Sequence, residues 1–494
     1  MAAGSPAGAE RFLEDALGKC PEHAGVLREF SAFHFQQGRY TEAEALVLRY
    51  LEVDPESPWG WDLLAASRYL RDEPRGALEA WNRIDRPLVR ERWIGGELGR
   101  GSGFAGGRAG DAPTAGLESR LLREMGIVEG TVLTPELLLR GERRLADLPA
   151  LRRVRLDYRP LAEGGAALEG TVAPGPRHPF RLAEVPAHAI RTLRAQVYLS
   201  GSNTLGALEH WELDALSDGR FRRVRAGLGH PAPLGHGVWH WKASIERGSF
   251  AAGPEEPAVE EELRSFRWSQ GRRDRAGLWT AFTVGYDHRR EGGGGPMAGV
   301  SARWDAPPRD TREATLIVPA RSRPWSVIWT VEAWNADHRF ARSRLEARGT
   351  RSLGSAFDLV VRGSGEALST EAPLDLQPRF GSDRSATSLM RARRAVDDEG
   401  VARTAYPGRA WLTGSIEFRR WSRGPATFPL GLAVFADGVR TLRTTDSDGP
   451  RGGVHVGAGL RIREPGGDGG VRLDWAVDPG AGGSRVSVAW VGTH

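Results

Sequence analysis

The sequence predicts a multidomain chain. Residues 1–86 read as α-helical repeats, 87–175 as a small α/β domain, and 176–494 as a sixteen-stranded antiparallel transmembrane β-barrel. Three observations carry this. Residues near the N-terminus recur with a period of 34. The middle segment has the order strand, helix, helix, strand, strand. From residue 190 onward, segments of about ten residues alternate apolar with polar and are separated by Gly, Pro, Asp and Ser.

The repeats come first. Ala9, Ala43 and Ala77 are 34 residues apart, as are Leu17 and Leu51, Pro21 and Pro55, and Leu27 and Trp61. Small residues where helices cross and proline at the repeat end match tetratricopeptide repeats, with Gly38, Arg39 and Tyr40 at the helix-turn-helix corner. About two repeats are present. Three are usually needed to stand alone, so the repeats are expected to continue upstream or to dock on the neighbouring α/β domain. They form either a plain helical cap or a concave face for a periplasmic partner.

In the middle domain, 87–96 is a strand and 117–126 a helix ending at Gly126. Thr134 and Pro135 open a second helix as N-cap and first turn. Leu138, Gly141, Leu145 and Leu148 give that helix one apolar side. Strands follow at 152–160, with Val154, Leu156 and Tyr158 on one face, and at 166–174. The stretch Gly101-Ser102-Gly103-Phe104-Ala105-Gly106 matches G-x-G-x-x-G. However, glycines continue to Gly110 and no βαβ unit follows, so a loop and no dinucleotide cofactor is expected.

Sixteen strands are expected to begin near Thr192, His210, Arg220, Val238, Leu263, Leu278, Met297, Glu313, Val327, Arg342, Phe357, Trp411, Leu430, Val454, Val471 and Val486. Trp239, Trp241, Ala243 and Ile245 oppose His240, Lys242, Ser244 and Glu246. Alternation alone fits a soluble sandwich as well as a barrel. The long helix-free succession and the aromatic-rich apolar faces favour a membrane barrel, and 64 glycines and 17 tryptophans suit one. No run of about 18 apolar residues suggests a transmembrane helix.

Composition limits the chemistry. Cys20 is the only cysteine, so disulfides and cysteine metal sites within one chain are excluded. Net charge is +5, but the arginines are scattered along strands, so nucleic acid is not an expected partner. His230, His236 and His240 straddle a turn and a strand, and no metal is expected there. HExxH, Walker and C-x-x-C motifs are missing, and no acid/base pair can be named. The chain reads as a non-enzyme with no cofactor. Its start, MAAGSPAGAERFLED, lacks the basic and apolar regions of a secretory signal. The expectation is therefore a start called too late or a signal removed.

The richest stretch is 376–442. Leu412, Gly414, Ile416 and Phe418 alternate with Thr413, Ser415, Glu417 and Arg419. Leu432, Val434 and Ala436 alternate with Ala433, Phe435 and Asp437. Asp437 on the polar face needs water or a partner, and the long loop before these strands offers Arg391, Arg393 and Arg394. This arrangement resembles the BamA/TamA-like bacterial surface-antigen superfamily with its two-partner-secretion transporters. These are outer-membrane barrels preceded by POTRA domains, which the middle domain also resembles through LTPELLLRGERRLADLPALRRVRLDY. Met390, Arg391, Ala392 and Arg393 fall on the family's inward loop motif, and Phe435, Ala436 and Asp437 on its Phe-x-Asp strand. The motif's glycine and aromatic are missing.

The resemblance implies a loop, 381–407, folded into the lumen and locked by Arg391 and Asp437, with Arg393, Glu417 and Phe435 in support. A partly hydrated lumen would make that pair's contribution modest. It also implies a strand edge at Val154, Leu156 and Tyr158 that binds extended peptide by β-augmentation. The function expected is an outer-membrane insertase or translocon with its N-terminal domains in the periplasm. It would take an unfolded or secreted client protein and meet outer-membrane lipid. The alternatives are an export porin for polysaccharide or small solutes, which the loop argues against, and a soluble repeat scaffold, which detergent dependence would exclude.

Overall fold

The computed structural model describes residues 5–96, 115–175, 195–218, 221–233, 237–251, 257–274, 278–290, 293–305, 325–335, 339–354, 356–373, 376, 390–391, 401–403, 406, 408–422, 429–443, 451–463 and 469–492. The chain divides into two compact units. One comprises Met1–Glu142 and Arg155–Thr171, the other Arg143–Val154 and Val172–His494.

The first unit begins with α1 (Pro6–Lys19), α2 (Ala24–Gln36), α3 (Tyr40–Val53), α4 (Pro58–Leu70) and α5 (Pro74–Trp81). Ser5 and Ser57 cap α1 and α4 by accepting from Gly8 N–H and Gly60 N–H, and Gly38 turns the chain between α2 and α3 at φ +73. Ala43 and Ala77, one period apart, are fully buried where helices cross, whereas α1 buries no residue. The repeats thus form two helix pairs behind a leading helix, and they do dock. Tyr69 and Trp81 pack on Tyr158 at ring separations of 5.6 and 6.4 Å. The Tyr158 hydroxyl donates to Pro74 O at 2.7 Å, and Tyr69 donates to Tyr158 O at 3.2 Å. Burial raises the Tyr158 pKa and keeps that hydroxyl protonated.

The α/β element comprises β1 (Leu88–Gly96), α6 (Ala115–Met125), α7 (Pro135–Ala146), β2 (Leu151–Leu161) and β3 (Gly165–Pro174), with sheet order β1-β3-β2. The expected element order is the observed one. Thr134 Oγ1 accepts from Leu137 N–H at 3.1 Å, as an N-cap should. Residues 101–106 lie outside the described residues.

The large sheet follows the chain through β4 (Gln196–Ser202), β5 (His210–Asp218), β6 (Phe221–Pro231), β7 (Val238–Ala251), β8 (Val259–Arg273), β9 (Trp279–Arg289), β10 (Gly293–Asp305), β11 (Trp325–Asn335), β12 (Arg339–Ser352) and β13 (Phe357–Leu368). A short β14 (Val401–Arg403) precedes β15 (Ala410–Trp421), β16 (Leu430–Arg443), β17 (Gly452–Arg463), β18 (Gly469–Asp478) and β19 (Gly483–Gly492). Every strand from β4 to β19 pairs with its sequence neighbour, except that β13 pairs with β15 while β14 adds in parallel to β7.

This corrects one expectation. The segment near Glu313 lies outside the described residues, and it inserts no strand between its neighbours, because β10 pairs directly with β11 from Asp305↔Ser326 onward. Fifteen antiparallel strands therefore stand among the described residues.

Burial decides between sandwich and barrel. Leu432 and Val434 are 65% and 57% exposed, while Glu417 and Asp437 on the opposite face are 3% and 1% exposed. A water-soluble sandwich would bury the first pair and expose the second. Apolar residues outside and charges inside are the arrangement of a membrane barrel. Trp241, Trp304, Trp329 and Trp475 stand on the same outer face.

Candidate functional site

Strand register assembles the site. Period two turns Ser415, Glu417 and Arg419 of β15 inward together. Across the ladder Ser415 faces Asp437, Asp437 faces His455, and further along Gly459 faces Asp474 and Arg461 faces Arg472. The inner wall of β15–β18 thus carries three carboxylates within reach of one another. Gly457 keeps it open, since a side chain there would strike the Phe435 ring.

Arg391 enters this wall from the loop between β13 and β15. Its Nη1 lies 2.9 Å from Glu417 Oε2 and 3.6 Å from Asp474 Oδ2, and its Nε lies 3.2 Å from Asp437 Oδ2. Nε and Nη1 are at ion-pair distance without the angle of a hydrogen bond. Nη2 donates to Ser415 Oγ at 3.4 Å, and the Ser415 hydroxyl donates to Asp437 Oδ1 at 2.8 Å. The guanidinium lies over Phe435, 3.7 Å from the ring centroid. Arg461 ties the acids together, donating to Glu417 at 2.9 Å and to Asp474 at 2.6 Å. Arg419 and Arg472 complete the cluster at 2.6 Å from Glu417 and 2.8 Å from Asp474.

The loop tip has a second anchor. Met390 takes φ +61 and is fully buried. It packs into an apolar cluster with Trp334, Phe340, Leu368, Tyr406 and Trp411, and Trp411 Nε1 donates to Tyr406 O at 2.7 Å. Ten residues after Arg391, β14 joins Ser249–Ala251 of β7, beyond the point where β6 stops pairing. The loop is therefore held on two separate parts of the barrel.

Of the residues expected at the lock, Arg391, Asp437, Glu417 and Phe435 converge, while Arg393 lies outside the described residues. The energetic expectation needs correcting. The pair is not in a wet lumen: Arg391 is 1% exposed, and Asp474 and Asp437 are as buried. Removing one partner of such a cluster costs about 3–5 kcal/mol, well above the roughly 0–1 of a solvated pair. Asp474, Arg461 and Arg472 were missed. Their inward parity was visible in the sequence, but the register that sets them beside Arg391 was not.

The expected peptide edge needs a different correction. β2 is an outer strand of its sheet, but Val154, Leu156 and Tyr158 point into the core, at 8%, 4% and 5% exposure. Leu156 N–H donates to Glu142 at 3.4 Å, and Tyr158 O is taken by Tyr69. The outward side chains of β2 are Arg155 and Arg159. Among the described residues no group of three or more His, Cys, Asp or Glu side chains is placed to hold a metal.

A further ion cluster lies at the barrel rim. Arg273 makes a two-pronged contact with Asp147, 2.6 and 2.8 Å, and reaches Asp305 at 3.2 Å; Arg303 reaches Asp147 at 2.8 Å. The ends of β8 and β10 therefore share one rim with residues 143–154. Antiparallel alternation puts the end of β13, where the inward loop leaves, at the opposite rim.

The tetratricopeptide-repeat family model matches residues 1–66. CdiB from Escherichia coli has a similar structure, with a TM-score of 0.51 at 14% identity, covering 82% of this chain and 76% of that one. CdiB from Acinetobacter baumannii aligns at 0.49 and 10%, covering 82% and 74%. BamA from Haemophilus ducreyi lacking POTRA domains 1–3 aligns at 0.45 and 12%, covering 82% and 84%. No curated protein matches in sequence. The fold implied by the resemblance at residues 376–442 is thus the fold found: helical repeats, then a small α/β element and a barrel of the kind seen in CdiB from Escherichia coli.

Proposed function

We propose that this chain is an outer-membrane translocon or insertase for protein clients, with its helical repeats and POTRA-like domain in the periplasm. The observation that carries this is Arg391, held on the β15–β18 wall by three buried carboxylates. A lumen crossed by a loop anchored at Arg391 and again at β14 is not a free solute pore. It is a gated one, whose gate is released when the ion cluster opens. The apolar outer face supplies the lipid contact. The work is non-covalent: strand pairing and apolar burial move the client. β2 offers its backbone edge to an extended segment, flanked by Arg155 and Arg159 in place of the buried Val154, Leu156 and Tyr158. The rim shared by Asp147, Arg273 and Asp305 then faces the periplasm, and the inward loop enters from outside.

Photo-cross-linking in intact cells tests this. A photoreactive residue at Arg155 or Arg159 should capture an unfolded client, and external protease should leave the repeats intact. Capture of this same chain alone, or digestion of the repeats from outside, would contradict the reading.

A further inference from the structure

Across β12 and β13 the ladder sets Arg348 directly opposite Arg362. Both occupy inward positions: Leu345 and Ala347 alternate with Arg348 and face outward, and Val361 alternates with Arg362. Like charges directly opposite on neighbouring strands repel. Nearby guanidiniums each have a carboxylate: Arg342 meets Glu366 at 2.9 Å, Arg344 meets Glu346 at 2.5 Å, and Arg419 meets Glu417 at 2.6 Å. Arg348 and Arg362 have no ion pair or hydrogen bond among the described residues. Arg362 Nε is sealed from solvent with no acceptor. Native proteins seldom leave a buried donor unmet, and least of all a charged one.

The surroundings cannot supply the missing acceptor. Across the next ladder Arg362 faces Ser415, whose hydroxyl is committed to Asp437. Glu417 is shared by Arg391, Arg419 and Arg461. This part of the wall therefore has more guanidiniums than carboxylates. We propose that Arg348 and Arg362, with Arg419 two inward positions along β15 from Ser415, form a lumen site for one oxyanion group, a phosphate or a carboxylate. Directly opposed residues on antiparallel strands have Cβ atoms about 4.5–5.5 Å apart, so a single oxyanion can bridge both side chains. Planar guanidinium forks match that geometry with paired donors. The oxyanion would remove the repulsion and satisfy Arg362 Nε at once. Its source is either free phosphate or an acidic side chain of a chain passing through the lumen.

The test is equilibrium dialysis of the purified full chain in detergent against radiolabelled inorganic phosphate, with a labelled tetra-aspartate peptide as a second arm. One saturable site per chain is expected, weakened tenfold or more by Arg348→Gln and by Arg362→Gln. Arg351→Gln, on the outward face, should leave it unchanged. Heat-modifiable migration checks that each variant folds. Competition by the peptide would support the site and assign it to carboxylates of a client; phosphate binding alone would support it as a small-ion site. No saturable binding in either arm, or binding that survives both substitutions, would overturn it. The readout involves no translocation, so the proposed function could stand while this site fails.

Discussion

Glu44 and Glu417 are the same side chain in two settings. Glu44, in the helical repeats, bridges Arg68 and Arg71 and is 14% exposed. Glu417, in the barrel, bridges Arg391, Arg419 and Arg461 and is 4% exposed. Around Glu44 the core is apolar, built from Leu27, Leu64, Ala43 and Ala77, and charges lie outside. Around Glu417 the order is reversed, with Leu432 and Val434 outside and the charges within. One chain therefore uses two folding solvents, and the same ion pair has a different weight in each.

Removing the carboxylates should sharpen that contrast most. Glu417→Ala should destabilise the barrel by about 3–5 kcal/mol, because it strands buried guanidiniums. Glu44→Ala should cost only about 0–1 kcal/mol. Denaturant unfolding in detergent, followed by heat-modifiable migration for the barrel and helical circular dichroism for the repeats, reads both. Comparable losses would mean that the lumen cluster is solvated after all.

Apolar positions give the next effect. Val434→Arg on the outer face should cost about 2–4 kcal/mol in a bilayer. Leu48→Arg, at a partly exposed position in α3, should change stability by no more than about 0.5 kcal/mol. If Val434→Arg were silent in lipid vesicles, that face would not meet lipid.

The smallest effect is in pH. His34 packs on Phe30 at a ring separation of 4.5 Å. Burial, reinforced by the charge of Arg39, lowers its pKa below the usual value of about 6.5. The unfolded chain then binds the proton more readily than the folded one. The stability of the repeats should hold above pH 6.5 and fall as the pH drops through the folded pKa. Hydrogen exchange of residues 24–53 in the whole protein should show this loss, and His34→Gln should abolish it.

Much of this was legible in the sequence because it rests on local periodicity. The 34-residue spacing found the helix crossings at Ala43 and Ala77. The alternation in 411–419 and 430–437 placed Glu417 and Asp437 inward. Register was not legible. Alternation puts Asp474 inward, but nothing in its neighbours says that β18 brings it level with Arg391. Burial misled at Tyr158, where a strand face read as a docking edge is covered by Tyr69 and Trp81 from a segment about 80 residues away. Segment counting misled at Glu313, where alternation appeared without a partner strand.

The central claim is that Arg391 and Asp437 are energetically one unit. A double-mutant cycle with Arg391→Met, Asp437→Asn and the pair measures it directly, using barrel unfolding in denaturant as the readout. The expected result is that the two losses fail to add, with a coupling of about 1–3 kcal/mol. Losses that add within about 0.3–0.5 kcal/mol would mean that the two residues are independent, and the loop would not be locked by this cluster.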